Sequence, residues 1–201
     1  MPGLARLLRE GSISSLFLDG ALENGPFLDA DTVPQLSAAL RSNSTLSSLR
    51  LSRFGLWDQM AGENIMDALV GHPMLRRIEL KNTGADNAEM RALAGAVLGR
   101  LVAANSPVLI YLGVSNCALG DDGLRPLFAA LPLNTCLHAL DAGLNGVSAA
   151  FAPDALACVR ANRSLRRLHI DNRKKHEDDP GNEGVSIAEL RETEALVAAQ
   201  R

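Results

Sequence analysis

The chain has 201 residues, 47% hydrophobic and 21% charged, with a formal net charge of −3. That suits one globular domain with a sizeable core and gives no global attraction to nucleic acid or an anionic membrane. No apolar run approaches the ~20 residues that span a bilayer, and the N-terminus, Met1 to Glu10, lacks the apolar stretch of a signal peptide.

Leu4 to Glu10 reads as the tail of a helix with leucine and arginine at helical spacing. From Ile13 onward one line recurs six times, apolar at positions 1, 4, 6 and 11 with a small polar residue at 9. The pattern describes a short strand pointing side chains inward, followed by a turn. The first copy is Ile13, Leu16 and Leu18, then a loop with Asn24, Gly25 and Pro26, then a helix from about Asp31 to Leu40. The second is Leu46, Leu49 and Leu51, with Phe54 at the turn position and Leu56 closing it. Its helix, Ala61 to Val70, stops at Gly71-His72-Pro73, where proline cannot continue a helix. The third is Leu75, Ile78 and Leu80, with Thr83 and Ala85 in the turn. A long helix follows over Asp86 to Ala104, with Asp86 as its expected N-cap.

The cleanest copy is the fourth, Leu109, Leu112, Val114, Cys117 and Leu119, ahead of a helix over Asp121 to Leu131. The fifth is Leu137, Leu140, Ala142, Asn145 and Val147, with a helix over Ala149 to Ala161 that tolerates Pro153 in its first turn. The sixth is Leu165, Leu168 and Ile170, with Arg173 at the turn position. A polar stretch, Arg173 to Gly184, precedes an amphipathic helix over Ser186 to Gln200, where Ser186 and Glu189 form a capping box. Copies start at 13, 46, 75, 109, 137 and 165, at spacings of 33, 29, 34, 28 and 28. One strand and one helix per period near 28 is a solenoid signature. Asn43, Asn105, Asn134 and Asn162 stand two to four residues ahead of four of the strands. Each is expected to end its helix in a left-handed conformation that few other residues accept.

These lines and the Asn-x-Thr/Ser-Leu junctions resemble leucine-rich repeats of the ribonuclease-inhibitor-like subclass, over about residues 4 to 175. The resemblance implies an α/β horseshoe of about six repeats, parallel strands on the concave face and helices on the convex face. Phe54, Arg173 and the units of 33 and 34 residues depart from the pattern, so irregular turns are expected there. We expect a single repeat domain over 1–201, cut from a longer protein. Seventeen arginines against three lysines, with abundant alanine, fit a GC-rich bacterial genome. In that setting the resemblance points to the target-recognition part of an effector, cytoplasmic in location and delivered into a host cytosol.

Strand side chains alternate between core and open face, so positions 3, 5 and 7 point outward on rungs about 4.8 Å apart. Position 3 gives Ser15, Ser48, Arg77, Tyr111, Ala139 and Arg167. Position 5 gives Phe17, Arg50, Glu79, Gly113, Asp141 and His169, and position 7 gives Asp19, Ser52, Lys81, Ser115, Gly143 and Asp171. The candidate protein-binding residues are therefore Phe17, Arg50, Arg77, Glu79, Lys81, Tyr111, Asp141, Arg167, His169 and Asp171. Arg77 and Tyr111 sit on adjacent rungs and can form a stacked anchor of the kind enriched at binding hot spots. Trp57 is expected to tuck over the rim of the core. The basic run from Arg160 to Lys175 lacks interleaved aromatic residues and reads as a solvated face rather than a nucleic-acid site.

Chemistry is sparse. No phosphate loop, His-Glu-x-x-His or Gly-x-Ser-x-Gly occurs, and His72, His138, His169 and His176 are scattered. Cys117, Cys136 and Cys158 are odd in number and widely spaced, which argues for reduced thiols rather than a disulfide framework or zinc site. Cys117 reads as a turn residue, and Gly120 to Gly123 as a helix start rather than a calcium loop. The expected function is a non-catalytic protein-protein interaction module with a protein partner. No cofactor, metal, nucleic acid, membrane or small-molecule substrate is expected. Two other readings rest on resemblance. One is a small-GTPase-activating protein of the Ran type, using a rim residue such as Arg53 or Asn82. The other is actin binding, since Leu168 to Asn172 is similar to the last repeats of tropomodulin-like actin caps.

Overall fold

The computed structural model describes residues 2–11, 13–20, 28–57 and 61–170. Helix α1 (Pro2–Glu10) opens the chain, followed by β1 (Ser15–Asp19), α2 (Thr32–Ser42), β2 (Ser48–Ser52), α3 (Ala61–Leu69) and β3 (Arg77–Lys81). Then come α4 (Ala88–Ala103), β4 (Tyr111–Ser115), α5 (Gly120–Ala130), β5 (Ala139–Asp141), α6 (Ala152–Ala161) and β6 (Arg167–His169). The strands form one parallel sheet in chain order. Ser15, Ser48, Arg77, Tyr111, Ala139 and Arg167 face one another along it, each the third residue of its line. Unequal spacing leaves this register intact. The extra length between β3 and β4 lengthens α4 to 16 residues, against 9 to 11 in the other helices.

Positions 4 and 6 of the lines (Leu49 and Leu51, Ile78 and Leu80, Leu112 and Val114) are buried against Leu40, Ile65, Val97, Leu98 and Leu127 of the helices. Each such side chain contributes about 1.5–3 kcal/mol relative to an exposed one. The leucines at position 1 are buried too, yet the strands begin two residues later. The reason lies in the junctions. The amides of Leu46, Leu137 and Leu165 donate to the side-chain oxygens of Asn43, Asn134 and Asn162, each at 2.7 Å.

Those asparagines do not end helices in the left-handed conformation. Asn43, Asn134 and Asn162 are extended, with ψ of 137°, 126° and 142°. Only Asn105 has positive φ, at 49°. The extended form lets one buried side chain serve two repeats. Its oxygen accepts from the second and third amides that follow, and its nitrogen reaches back to the carbonyls ending the previous repeat's helical segment: Leu8 for Asn43, Val102 for Asn134, Leu131 for Asn162. Helix-end carbonyls have no partner within their own helix, so the asparagine supplies one. Asn105 stands one residue further from its strand and pairs instead with Thr135 of the next junction, at 2.8 Å and 3.1 Å.

At the third repeat His72 takes the asparagine's place. Its Nδ1 accepts from the Met74 amide at 3.3 Å. Its Nε2 is buried, directed at the Asn43 backbone without closing a hydrogen bond of good geometry. Burial holds the imidazole below the ordinary histidine value, and the Asn43 backbone offsets this only in part.

Other details differ from the sequence expectations. Asn87, not Asp86, caps α4, because the helix starts at Ala88 and Asn87 has the extended backbone that brings its side chain to the Met90 amide, at 2.8 Å. The backbones of α4 and α5 nearly touch. A Cβ on Gly95 would stand 2.5 Å from the Gly123 carbonyl oxygen, and one on Gly99 would stand 2.9 Å from that of Pro126. Trp57 is buried, as expected of a residue over the core rim. Asn145 knits the turns, with its side-chain nitrogen donating to Val114 and Ala142 and its oxygen accepting from the Cys117 amide. Arg173 and the expected helix over 186–200 lie outside the described residues.

Two predictions follow from the junctions. Asn134→Ala strands a buried carbonyl and two amides and is expected to cost about 3 kcal/mol in denaturant unfolding. Asn105→Ala loses only exposed hydrogen bonds to Thr135 and puts alanine in the left-handed region, so it should cost about 1–2 kcal/mol, and a loss as large as that of Asn134→Ala would contradict the bridging role. For His72, the folded-state pKa lies below the unfolded value of about 6.5. Its contribution to stability is therefore present above that pH and lost as pH falls below it. His72→Asn restores the common junction residue and should reduce the loss of stability between about pH 6.5 and 5.

Candidate protein-binding face

Among the described residues the helices occupy one side of the sheet and leave the other open. In the third-residue row Arg77 and Tyr111 are register partners, and the Arg77 guanidinium carbon lies 3.5 Å from the Tyr111 ring centroid. Arg77 is held from below by Glu79, two residues along the same strand, at 3.0 Å. The other Glu79 oxygen faces Arg50 Nε at 3.7 Å, an ion pair too long for a hydrogen bond. Arg50 in turn lies 4.9 Å above the Phe17 ring. Five of the expected residues thus form one run across four strands, Phe17–Arg50–Glu79–Arg77–Tyr111.

Gly113 leaves room for the run: a Cβ there would stand 3.1 Å from Tyr111 Cε1 and Oη, so a larger residue would push the ring outward by a few tenths of an ångström. Burial pushes the Tyr111 phenol above its ordinary value, with the Arg77 charge acting in the opposite direction. The phenol therefore stays a neutral donor at physiological pH.

A second group spans β4 to β6. Asp141 faces His169 Nδ1 at 2.9 Å through one oxygen and accepts from the Ser115 hydroxyl at 2.9 Å through the other. The His169 ring lies over Gly143, where a Cβ would meet it at 2.7 Å. Asp141 sits between serine and histidine, so the histidine is oriented but does not activate the hydroxyl. The order is wrong for a nucleophilic triad.

Lys81 and Arg167 are exposed at the ends of this pattern and make no ion pair among the described residues. Asp171 lies outside the described residues. Some outward positions are not free surface: Ser52, Gly113, Ala139 and Gly143 are buried, because they are small and larger neighbours lean over them. The Ser115–Asp141–His169 group was only half legible in sequence. The 28-residue spacing puts Asp141 and His169 in one row, but the serine joins only through its rotamer.

At the rim, Arg53 and Asn82 adopt positive φ at position 8, as do Asn116 and Leu144. Arg53 is paired with Asp19, and Asn82 accepts from Asn116 at 2.6 Å. Cys117 is buried, receives the Thr83 hydroxyl at 3.2 Å, and has its thiol pushed up by burial, which leaves it unreactive. Asp121 accepts from the amide and hydroxyl of Ser148, tying one helix start to the next turn. Among the described residues no three His, Cys, Asp or Glu side chains are grouped to hold a metal ion. No described helix is long and apolar enough to cross a membrane.

No protein-family model matches the chain, and no curated protein matches it in sequence. Among solved structures it is similar to the tropomodulin C-terminal domain of Caenorhabditis elegans, with a TM-score of 0.62 and 18% identity over 84% of this chain and 92% of that one. A structure of leiomodin-1 actin-binding site 2 is matched more loosely, with a TM-score of 0.49 and 11% identity over 99% of this chain and 87% of that one. The tropomodulin likeness and the observed topology define the class. The fold is an α/β leucine-rich-repeat solenoid, with six parallel strands in one sheet alternating with helices.

Tyr111 is the chain's sole tyrosine, so absorbance titration reads its phenol directly. Its transition should fall above the ordinary value of about 10 in the folded chain and return to it in denaturant. Because the folded value is raised, its contribution to stability is present below pH ~10 and lost as pH rises through the folded value. An unshifted native transition would mean that the ring is not packed as described.

Proposed function

We propose that the chain is a non-catalytic protein-interaction module that holds a partner protein on the open face of its sheet, with Tyr111 at the centre. The braced stack carries this reading: Arg77 lies on the Tyr111 ring with Glu79 beneath it and Gly113 below the ring. Tyrosine and arginine are the residue types that dominate interface hot spots. Side chains fixed before a partner arrives lose less entropy on binding than mobile ones do. Exposed ion pairs contribute little to stability, about 0–1 kcal/mol, so the arrangement has more to offer recognition than folding.

The residues proposed to meet the partner are Phe17, Arg50, Arg77, Glu79, Lys81, Tyr111, Asp141, Arg167 and His169. The ribonuclease-inhibitor-like junctions and the arginine-rich composition support a finer version. In it the module recognises the target of a bacterial effector in a host cytosol. A pull-down with the wild-type chain and with Arg77→Ala, Tyr111→Ala and Arg167→Ala tests the face. Capture of the principal partner should fall at least ~10-fold with Arg77→Ala and Tyr111→Ala, and unchanged capture in all three would remove the face from the account.

A second reading names the partner as actin. It is supported by the fold likeness to a tropomodulin domain and by the resemblance of Leu168 to Asn172 to the last repeats of tropomodulin-like caps. Added to filaments capped at their barbed ends, the chain should slow pointed-end growth, and unaltered growth would exclude actin capping. The GTPase-activating reading has less to stand on, since Arg53 is committed to Asp19 and Asn82 to Asn116.

A further inference from the structure

We infer that the β1–β3 side of the open face takes an acidic segment of a partner protein, one that carries an apolar side chain among its carboxylates. The inference rests on the open face being the binding surface and adds the chemistry of what it binds.

Among the described residues, charge on this side does not balance. Arg50 and Arg77 share the single carboxylate of Glu79, at 3.7 Å and 3.0 Å. Lys81, two residues beyond Glu79, is exposed and makes no ion pair among the described residues. Asp19 and Arg53 at the rim cancel each other. The chain as a whole is negative, at −3, so the positive excess is local to this part of the sheet. Among the described residues the β4–β6 side has no such excess, because Asp141 offsets Arg167 there. An incoming acidic segment is therefore drawn to β1–β3.

Geometry adds the apolar element. Phe17 is 55% exposed, unusual for a residue of its size, and stands at the end of the same run with Arg50 over its ring. A partner side chain packing on Phe17 places its flanking carboxylates beside Arg50 and Lys81. Planar guanidinium groups match carboxylates in two parallel hydrogen bonds. One carboxylate already lies between Arg50 and Arg77, and a second would complete the pair.

A nucleic acid fits these facts less well. Single strands are held by stacking successive bases on a series of open aromatic faces, but Arg77 lies over Tyr111, which leaves Phe17 as the one exposed ring among the described residues of this face.

The test is selection of a random twelve-residue peptide library on the full chain, with affinities of enriched peptides measured by anisotropy at low and high salt. Enriched peptides should carry excess Asp and Glu around one apolar residue and weaken with salt. Lys81→Glu should weaken them about tenfold or more, as should Arg50→Glu, while Arg41→Glu on helix α2 leaves them unchanged. Phe17→Ala should remove the preference for the apolar residue but keep the acidic bias. Three results would overturn the inference: enriched peptides without acidic excess, no enrichment over the naive library, or equal weakening by Arg41→Glu. Tighter binding of a twelve-residue oligothymidine than of the best peptide would do the same in favour of nucleic acid. If partner capture still depends on Arg77 and Tyr111 while the library shows no acidic bias, the acidic segment is wrong and the face stands. If capture is indifferent to both residues, the face itself is wrong.

Discussion

The open face depends on strands that start in register, and at three of the five junctions a single buried asparagine side chain joins one repeat to the one before it. A helix end leaves carbonyls without partners, and the turn into the next strand leaves amides without partners. Asn43, Asn134 and Asn162 meet both needs with a single amide group. Because the bridge runs between repeats, it ties the start of β2, β5 and β6 to the repeat before, while the parallel ladder carries the same register through β3 and β4. A one-residue slip would exchange the buried and exposed rows. Spacings of 33, 29, 34, 28 and 28 residues coexist with an unbroken register, and in the 34-residue unit most of the added length goes into α4, with one residue in the junction at Asn105. His72 shows the constraint where it is weakest: the imidazole accepts from the turn amide but satisfies its other nitrogen poorly.

The aligned rows place groups side by side that are distant in sequence. Arg77 and Tyr111 are separated by 34 residues and stack because they are register partners. Asp141 and His169 are separated by 28 and pair for the same reason. Small residues complete both groups. Gly113 lets a ring settle onto the strand, and Gly143 does so for the imidazole. Small buried residues lie between these groups, with charge and an exposed aromatic ring toward β1.

Much of this was legible in the sequence because period-2 alternation and a repeated register are local, additive signals. Leu49, Leu51, Leu112 and Val114 point inward as the lines require, and the Arg77–Tyr111 pair could be named from spacing alone. The junction asparagines were visible as a pattern, but their mechanism was not. Their side chains reach across repeats to Leu8, Val102 and Leu131, which no local rule reveals. The same holds for Gly95 and Gly99 against α5, whose role exists only once two helices approach. Glu79 bracing two arginines and Ser115 joining Asp141 depend on rotamers chosen among several outward positions. Asn87 displaced Asp86 as the cap by a shift of one residue, the scale at which helix boundaries are least determined.

The measurement that bears most directly on the account is hydroxyl-radical footprinting of the chain with and without its captured partner. Tyr111 on the open face and Leu133, which is 77% exposed on the segment after α5, report on different surfaces of the solenoid. Binding on the open face predicts that Tyr111 and Phe17 become protected while Leu133 reacts as in the free chain. Protection of Leu133 with Tyr111 and Phe17 unchanged would contradict it.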